Sequence, residues 1–159
     1  MQPGVGRILT THSGSLPRPS RFLSLVLARE AGEPVDEARF TDEVRAAVRE
    51  TVRLQADAGV DVLNDGEMSK PSYATYVKDR LTGFGGEGSI QEVAASVMGL
   101  EEFRDFAEKM AQTMASAATI RFTSGAGPVR YVGQAAVQSD IDTLKAATEG
   151  VPAAGVFMS

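Results

Sequence analysis

The chain has 159 residues, 43% of them hydrophobic and 23% charged, with a net charge of −5. That length supports one domain with a real core, and the acidic balance argues against a nucleic-acid or anionic-membrane partner. With no cysteine and a single histidine, His12, disulfides, thiolate nucleophiles, cysteine-rich zinc sites and any Ser-His-Asp triad not built on His12 are excluded.

The N-terminal stretch MQPGVGRILTTHSG lacks the apolar core of a signal peptide. No apolar run approaches the roughly 20 residues of a membrane span, so a cytoplasmic protein is expected. Arg7–Thr11 is short, β-branched and apolar, and it predicts a strand. The polar loop His12–Pro19 follows. Ser20–Ala31 predicts a short helix closed by Gly32 and Pro34.

Thr41–Ala58 carries the clearest helical pattern. Thr41 is the expected N-cap, with Asp42 and Glu43 at the positive end of the dipole. Val44, Ala47, Val48, Thr51, Leu54 and Ala58 define the expected buried face. Gly59 sits where a C′ glycine belongs.

Val60–Asn64 predicts a short buried strand that runs into Asn64-Asp65-Gly66-Glu67. Asp-Gly is a hairpin signal, but the following Met68-Ser69-Lys70-Pro71 places a proline where a return strand would pair. The alternative puts Asp65 and Glu67 at the C-terminal end of a parallel strand, where barrel and open α/β enzymes hold their chemistry. Such carboxylates can accept hydrogen bonds from a substrate ammonium or carry protons; they can equally be solvated loop charges. His12, Gly14, Ser15 and Arg18 follow the first strand at the same kind of end. For them, too, a structural histidine, a plain turn and a surface arginine are the bland alternatives. Arg18 between Pro17 and Pro19 suits a fork for an anionic group.

Residues 68–82 read as loop and helix, and the Gly-rich residues 83–99 follow no clear pattern. Leu100–Ala118 predicts a helix with Phe103, Phe106, Met110 and Met114 near one face. Ile120–Thr123 and Pro128–Val132 are β-prone. Gln134–Glu149 predicts a helix with a stripe of Val137, Ile141, Leu144 and Thr148. Ala153–Met158 is apolar. The β-α-β-α-β-α-β order implies parallel strands with crossover helices. Four βα steps are about half of a (β/α)₈ barrel of roughly 250 residues. The expected fold is therefore α/β: a partial TIM barrel of about four βα units in a truncated chain.

Two stretches together, TTHSGSLPRP (10–19) and QADAGVDVLNDGEMSKPSYATYVKDRLTGF (55–84), resemble the cobalamin-independent methionine synthase superfamily. The resemblance is closest to its single-barrel branch, which includes epoxyalkane–coenzyme M transferase. GPVRYVGQAAVQSDIDTLKAA (127–147) and GVFMS also fit. The resemblance implies that residues 1–159 are the N-terminal half of a TIM barrel that transfers a methyl group to a thiol without cobalamin. The implied partners are a homocysteine-like thiol and a folate methyl donor. Gly14 and Ser15 would bind the thiol substrate and Glu67 its ammonium, with His12, Arg18 and Asp65 around them. Asp65 stands where methionine synthases tend to have His. The zinc expected for such an enzyme would be held by residues outside this chain. Alternatives from other classes are a coenzyme M transferase-like or other thiol alkyltransferase, in which Arg18 would take a sulfonate or carboxylate, and a non-catalytic half-barrel that associates through its open edge.

Overall fold

The computed structural model describes residues 6–70, 73–88 and 122–159. The expected helix Leu100–Ala118 lies outside these residues, as do residues 89–99. The elements in chain order are α1 (Ser20–Glu30), α2 (Glu37–Asp57), β1 (Val62–Leu63), α3 (Tyr73–Lys78), β2 (Phe84–Gly88), β3 (Phe122–Gly125), α4 (Gln134–Thr148) and β4 (Gly155–Val156).

α2 starts four residues before the expected Thr41. Its N-cap is Asp36, whose carboxylate accepts the amides of Ala38 (3.0 Å) and Arg39 (3.1 Å), satisfying donors that the first turn leaves open. Thr41 is one turn inside, and its hydroxyl donates to the Glu37 carbonyl at 2.8 Å. At the other end Gly59 has φ 78°. Its N–H bonds to the Ala56 carbonyl and that of Val60 to the Gln55 carbonyl, both at 3.0 Å. This is the Schellman pattern, and it turns the chain directly into β1.

The buried face of α2 is Phe40, Val44, Ala47, Val48, Thr51, Val52 and Gln55. Leu54, expected on that face, is 62% exposed. At 100° per residue the stripe through 44, 48, 51, 52 and 55 leaves position 54 on the solvent side. α1 contributes Phe22 and Val26, α4 contributes Leu144 and Ala147, and Leu63 and Met68 close the core from the strand side. The Phe22 and Phe40 rings pack tilted, centroids 5.5 Å apart. On α4, Val137 and Ile141 of the expected stripe are only half-buried.

β1 is the centre of the parallel part. Val62 bridges Thr11 on one side in parallel, and Val62 and Leu63 pair in parallel with Gly155 and Val156 on the other. The remaining strands depart from the expected alternation. β2 and β3 form a separate two-stranded antiparallel sheet, with Phe84 opposite Gly125 and Gly88 opposite Phe122. Leu81 bridges Tyr131 antiparallel as well, so Pro128–Val132 does not join the parallel part. The described residues are thus mixed α/β with three parallel segments, not four, and an antiparallel arm between the second and third. The arm's residues include Gly83, Gly85, Gly86 and Gly88, a glycine density that removes the continuous apolar run a buried parallel strand shows. None of the described helices is long and apolar enough to cross a membrane.

Candidate functional site

Because Thr11, β1 and β4 run parallel, the segments that follow the first two, His12–Arg18 and Asn64–Lys70, leave the sheet at the same end. Asn64-Asp65-Gly66 forms no hairpin: Met68 N–H bonds to the Asp65 carbonyl and Lys70 N–H to the Glu67 carbonyl in a tight turn, and among the described residues β1 pairs only in parallel.

The two segments are bonded to each other throughout. Asn64 is fully buried; its Nδ2 donates to the His12 carbonyl at 2.7 Å, and its Oδ1 accepts the Gly66 amide at 2.8 Å. Gln55, buried on α2, brackets the same residue. Its Nε2 donates to the Asn64 carbonyl (2.8 Å), and its Oε1 accepts the Asn64 amide (3.2 Å), replacing the neighbour strand that the backbone lacks there. Leu16 N–H bonds to the Gly66 carbonyl at 3.0 Å. Gly66 has φ 58°, and a Cβ there would sit 2.6 Å from Thr51 Cγ2, so only glycine fits.

The six expected site residues fall into two groups. Ser15 and Glu67 meet: the serine hydroxyl donates to Glu67 Oε2 at 2.5 Å, at an exposed position. Among the described residues that hydroxyl is the carboxylate's only partner. Glu67 is itself held at φ 57°, the one non-glycine residue with positive φ among those described. That backbone is unfavourable for a side-chain-bearing residue and aims the carboxylate back at the first loop. His12 and Gly14 lie beside this pair, with His12 Nε2 and the Gly14 carbonyl 2.9 Å apart.

Arg18 and Asp65 are engaged within the protein. Arg18 donates from Nε to the Met68 carbonyl (3.2 Å) and from Nη2 to the carbonyls of Glu67 (2.8 Å) and Lys70. It staples the second loop rather than presenting its fork outward. Burial pushes its pKa below the ordinary value, and the Glu67 charge opposes that shift. Asp65 is 4% exposed. It accepts Lys70 Nζ at 3.0 Å through Oδ2 and the Glu67 amide at 3.3 Å through Oδ1. Lys70, only 7% exposed, also donates to the Ser159 carbonyl. Asp65 is therefore half of a buried ion pair that holds the Glu67 backbone.

Sequence reasoning assigned no role to Asn64, Gln55 or Lys70. Gln55 lies on the apolar stripe of α2, and a polar residue there is the signal that a buried main-chain group needs a partner. At the opposite end of β1, Asp61 accepts the Thr10 amide at 2.8 Å and its hydroxyl at 3.0 Å, and it pairs with Arg7.

Zinc is not accommodated by these residues. The sequence has no cysteine, and among the described residues no three His, Asp or Glu side chains cluster as metal ligands.

No protein-family model matches the chain. A protein of Streptomyces avermitilis named 5-methyltetrahydropteroyltriglutamate–homocysteine methyltransferase is 32% identical over 81 residues, 51% of this chain. Proteins of the same name from Mycobacterium tuberculosis and Rhodococcus jostii are each 36% identical over 75 residues, 47% of the chain. The matched stretch is about 10% of each relative's length. About half of this chain is therefore similar to a small part of homocysteine methyltransferases.

Proposed function

We propose that the His12–Arg18 and Asn64–Lys70 loops form the thiol-substrate wall of an S-methyltransferase-type site, with the N-terminal half of a barrel as its scaffold. The substrate class is an amino-acid thiol such as homocysteine, and the methyl donor class is a reduced folate. In this reading Glu67 takes the substrate ammonium, and Gly14 and Ser15 bind beside it through main chain and hydroxyl. Asn64, Lys70 and Arg18 fix the loops so that Glu67 needs no rearrangement on binding, which lowers the ordering cost. The observation that carries the reading is the Ser15–Glu67 hydrogen bond at an exposed position, made between two loops whose remaining bonds are internal. The names of the partial relatives support the choice of thiol and donor.

Arg18 bears on the competing substrate class. A sulfonate-bearing thiol would call on its fork, which here faces the carbonyls of residues 67, 68 and 70. Calorimetric titration of the chain separates the classes. Homocysteine binds, whereas 4-mercaptobutanoate, which lacks the ammonium, and 2-mercaptoethanesulfonate bind at least about ten-fold more weakly. Glu67→Gln removes the preference for the amine. Equal affinity for all three thiols, or a preference unchanged in Glu67→Gln, overturns the assignment.

A further inference from the structure

Two concavities lie between helices, away from the Ser15–Glu67 pair. The first, of about 290 Å³, is a cleft bounded by α1, α2, α4 and the segment Tyr76–Arg80. Both arginines that line it are paired within the protein: Arg80 donates from Nη2 to Asp140 Oδ2 at 2.7 Å, and Arg29 to Glu37 at 3.1 Å. Glu30 Oε2 and Arg80 Nη1 are buried without a hydrogen-bond partner and do not open into it. The second, of about 560 Å³, is a groove between α2 and α4. Arg45 and Arg49 form its α2 wall, Gln138 and Asp142 line it from α4, and the small side chains of Ala135 and Ala146 keep it open.

The groove's basic wall follows from how α2 distributes its charges. Arg45, Arg49 and Arg53 stand at i, i+4 and i+8, which is one row along the helix; Glu43 and Glu50 stand on the other flank. The acidic flank is answered from α1, where Arg21 pairs with Glu43 at 3.0 Å and with Glu50 at 2.6 Å. The basic row is not answered from α4. Asp142 is the one carboxylate lining the groove, and its Oδ1 accepts Gln138 Nε2 at 2.9 Å. Among the described residues the row's single ion pair joins Arg45 to the exposed Asp42, at 3.6 Å; Arg49 and Arg53 have none. All three arginines are exposed. Like charges at i, i+4 work against a helix, so the row stands against its own repulsion, on a chain whose net charge is −5.

Charge and spacing select the partner. Successive arginines of the row are about 6 Å apart along the axis, and the row spans about 12 Å. That is too long for one phosphate or carboxylate, and it matches carboxylates repeated at the same spacing on another helix. None of the described helices carries acidic residues at i, i+4 and i+8, which favours a different chain over a second copy of this one. We propose that the α2–α4 groove is a docking surface for an acidic helical segment of a protein partner. Its carboxylates lie on Arg45, Arg49 and Arg53, and its small side chains lie over Ala135 and Ala146, a helix-in-groove contact. Exposed charges are screened by salt, so the contact is weak and salt-sensitive. The groove plays no part in the Ser15–Glu67 reading.

The test is fluorescence anisotropy with the full chain and a labelled helical peptide of alanine and glutamine that carries glutamates at i, i+4 and i+8. Saturable binding is expected at low salt, at about 0.1 mM, and a peptide with glutamine in place of the glutamates binds about ten-fold or more weakly. Arg49→Gln weakens the acidic peptide by about five-fold or more. Arg39→Gln removes the same charge from an exposed arginine of α2 that lies outside the row, and it changes the affinity by less than about two-fold. Neither arginine has an ion pair to lose among the described residues, so both variants keep the fold. Absence of saturable binding overturns the proposal, as does equal binding of the glutamine peptide. Equal losses in Arg49→Gln and Arg39→Gln also overturn it, because they mark a response to net charge alone. So does a single-stranded oligonucleotide bound as tightly as the peptide, which would make the row a phosphate-binding surface.

Discussion

Asn64 and Arg80 are both largely buried polar side chains, yet their surroundings differ. Asn64 has a bond for its Nδ2, its Oδ1 and both main-chain groups, all supplied by Gln55, His12 and Gly66. Arg80 has Asp140 for one terminal nitrogen and nothing for the other. The loops around Asn64 are internally complete, and they expose one carboxylate–hydroxyl pair. The helical cleft around Arg80 is internally incomplete. The difference separates two polar regions: one in which the protein supplies every partner and fixes a geometry, and one in which it leaves a buried charged atom without one.

Four changes would break or sharpen this comparison. The largest effect is expected from Lys70→Met. It leaves Asp65 buried without its cation, and removing one partner of a buried pair costs about 3–5 kcal/mol, to be read from urea unfolding. A loss below about 1 kcal/mol would mean that the loop is not held through this pair. Next is Gly66→Ala, which combines a positive φ with a Cβ 2.6 Å from Thr51 Cγ2. A cost of about 2–3 kcal/mol is expected, accompanied by weakened thiol binding because the Leu16–Gly66 bond shifts.

A smaller effect follows from acid. The Arg7 hydrogen bond first, and then the Thr10 amide, hold the Asp61 carboxyl well below the usual carboxylate range. A carboxyl whose folded pKa is depressed contributes stability above its unfolded pKa of ~3.9, and that contribution is lost as pH falls below this value. Urea midpoints measured from neutral pH down to the acid limb should therefore decline, and Asp61→Asn should flatten the decline. Arg7 is 63% exposed, so solvent screening keeps the effect modest. The smallest change is expected in the cleft. Glu30→Gln replaces a carboxylate whose Oε2 has no partner, so stability should hold or rise by up to about 1 kcal/mol. A marked loss would show that Glu30 is satisfied after all, and the contrast with Asn64 would fail.

The convergence of the two loops was legible in the residues, and the reason is local. A strand followed by Gly- and Pro-rich polar residues has few conformations open to it, and two such strands in parallel deliver their loops to one end. Thus Ser15 and Glu67, 52 positions apart, are expected at one end of the sheet, and their side chains meet there. The occupations of Arg18 and Asp65 were not legible. A fork between two prolines reads the same whether it faces solvent or the carbonyls of residues 67, 68 and 70. The start of α2 was misplaced because Asp36 and Thr41 are both competent caps, and a sequence window does not weigh one against the other.

From the sequence by itself come the absence of cysteine thiols in this chain, the helical stripe of α2, the glycine stop at Gly59 and the carboxylate-bearing loop after β1. These depend on composition and on interactions within a few residues. Tertiary structure alone decided three matters: that Phe84–Gly88 pairs antiparallel with Phe122–Gly125, and Leu81 with Tyr131, rather than extending the parallel segments, that Lys70 neutralises Asp65, and that Glu30 and Arg80 line one cleft. Each depends on which distant groups meet after packing. The energy of a buried polar group is set by those partners, and its neighbours in the chain do not reveal them.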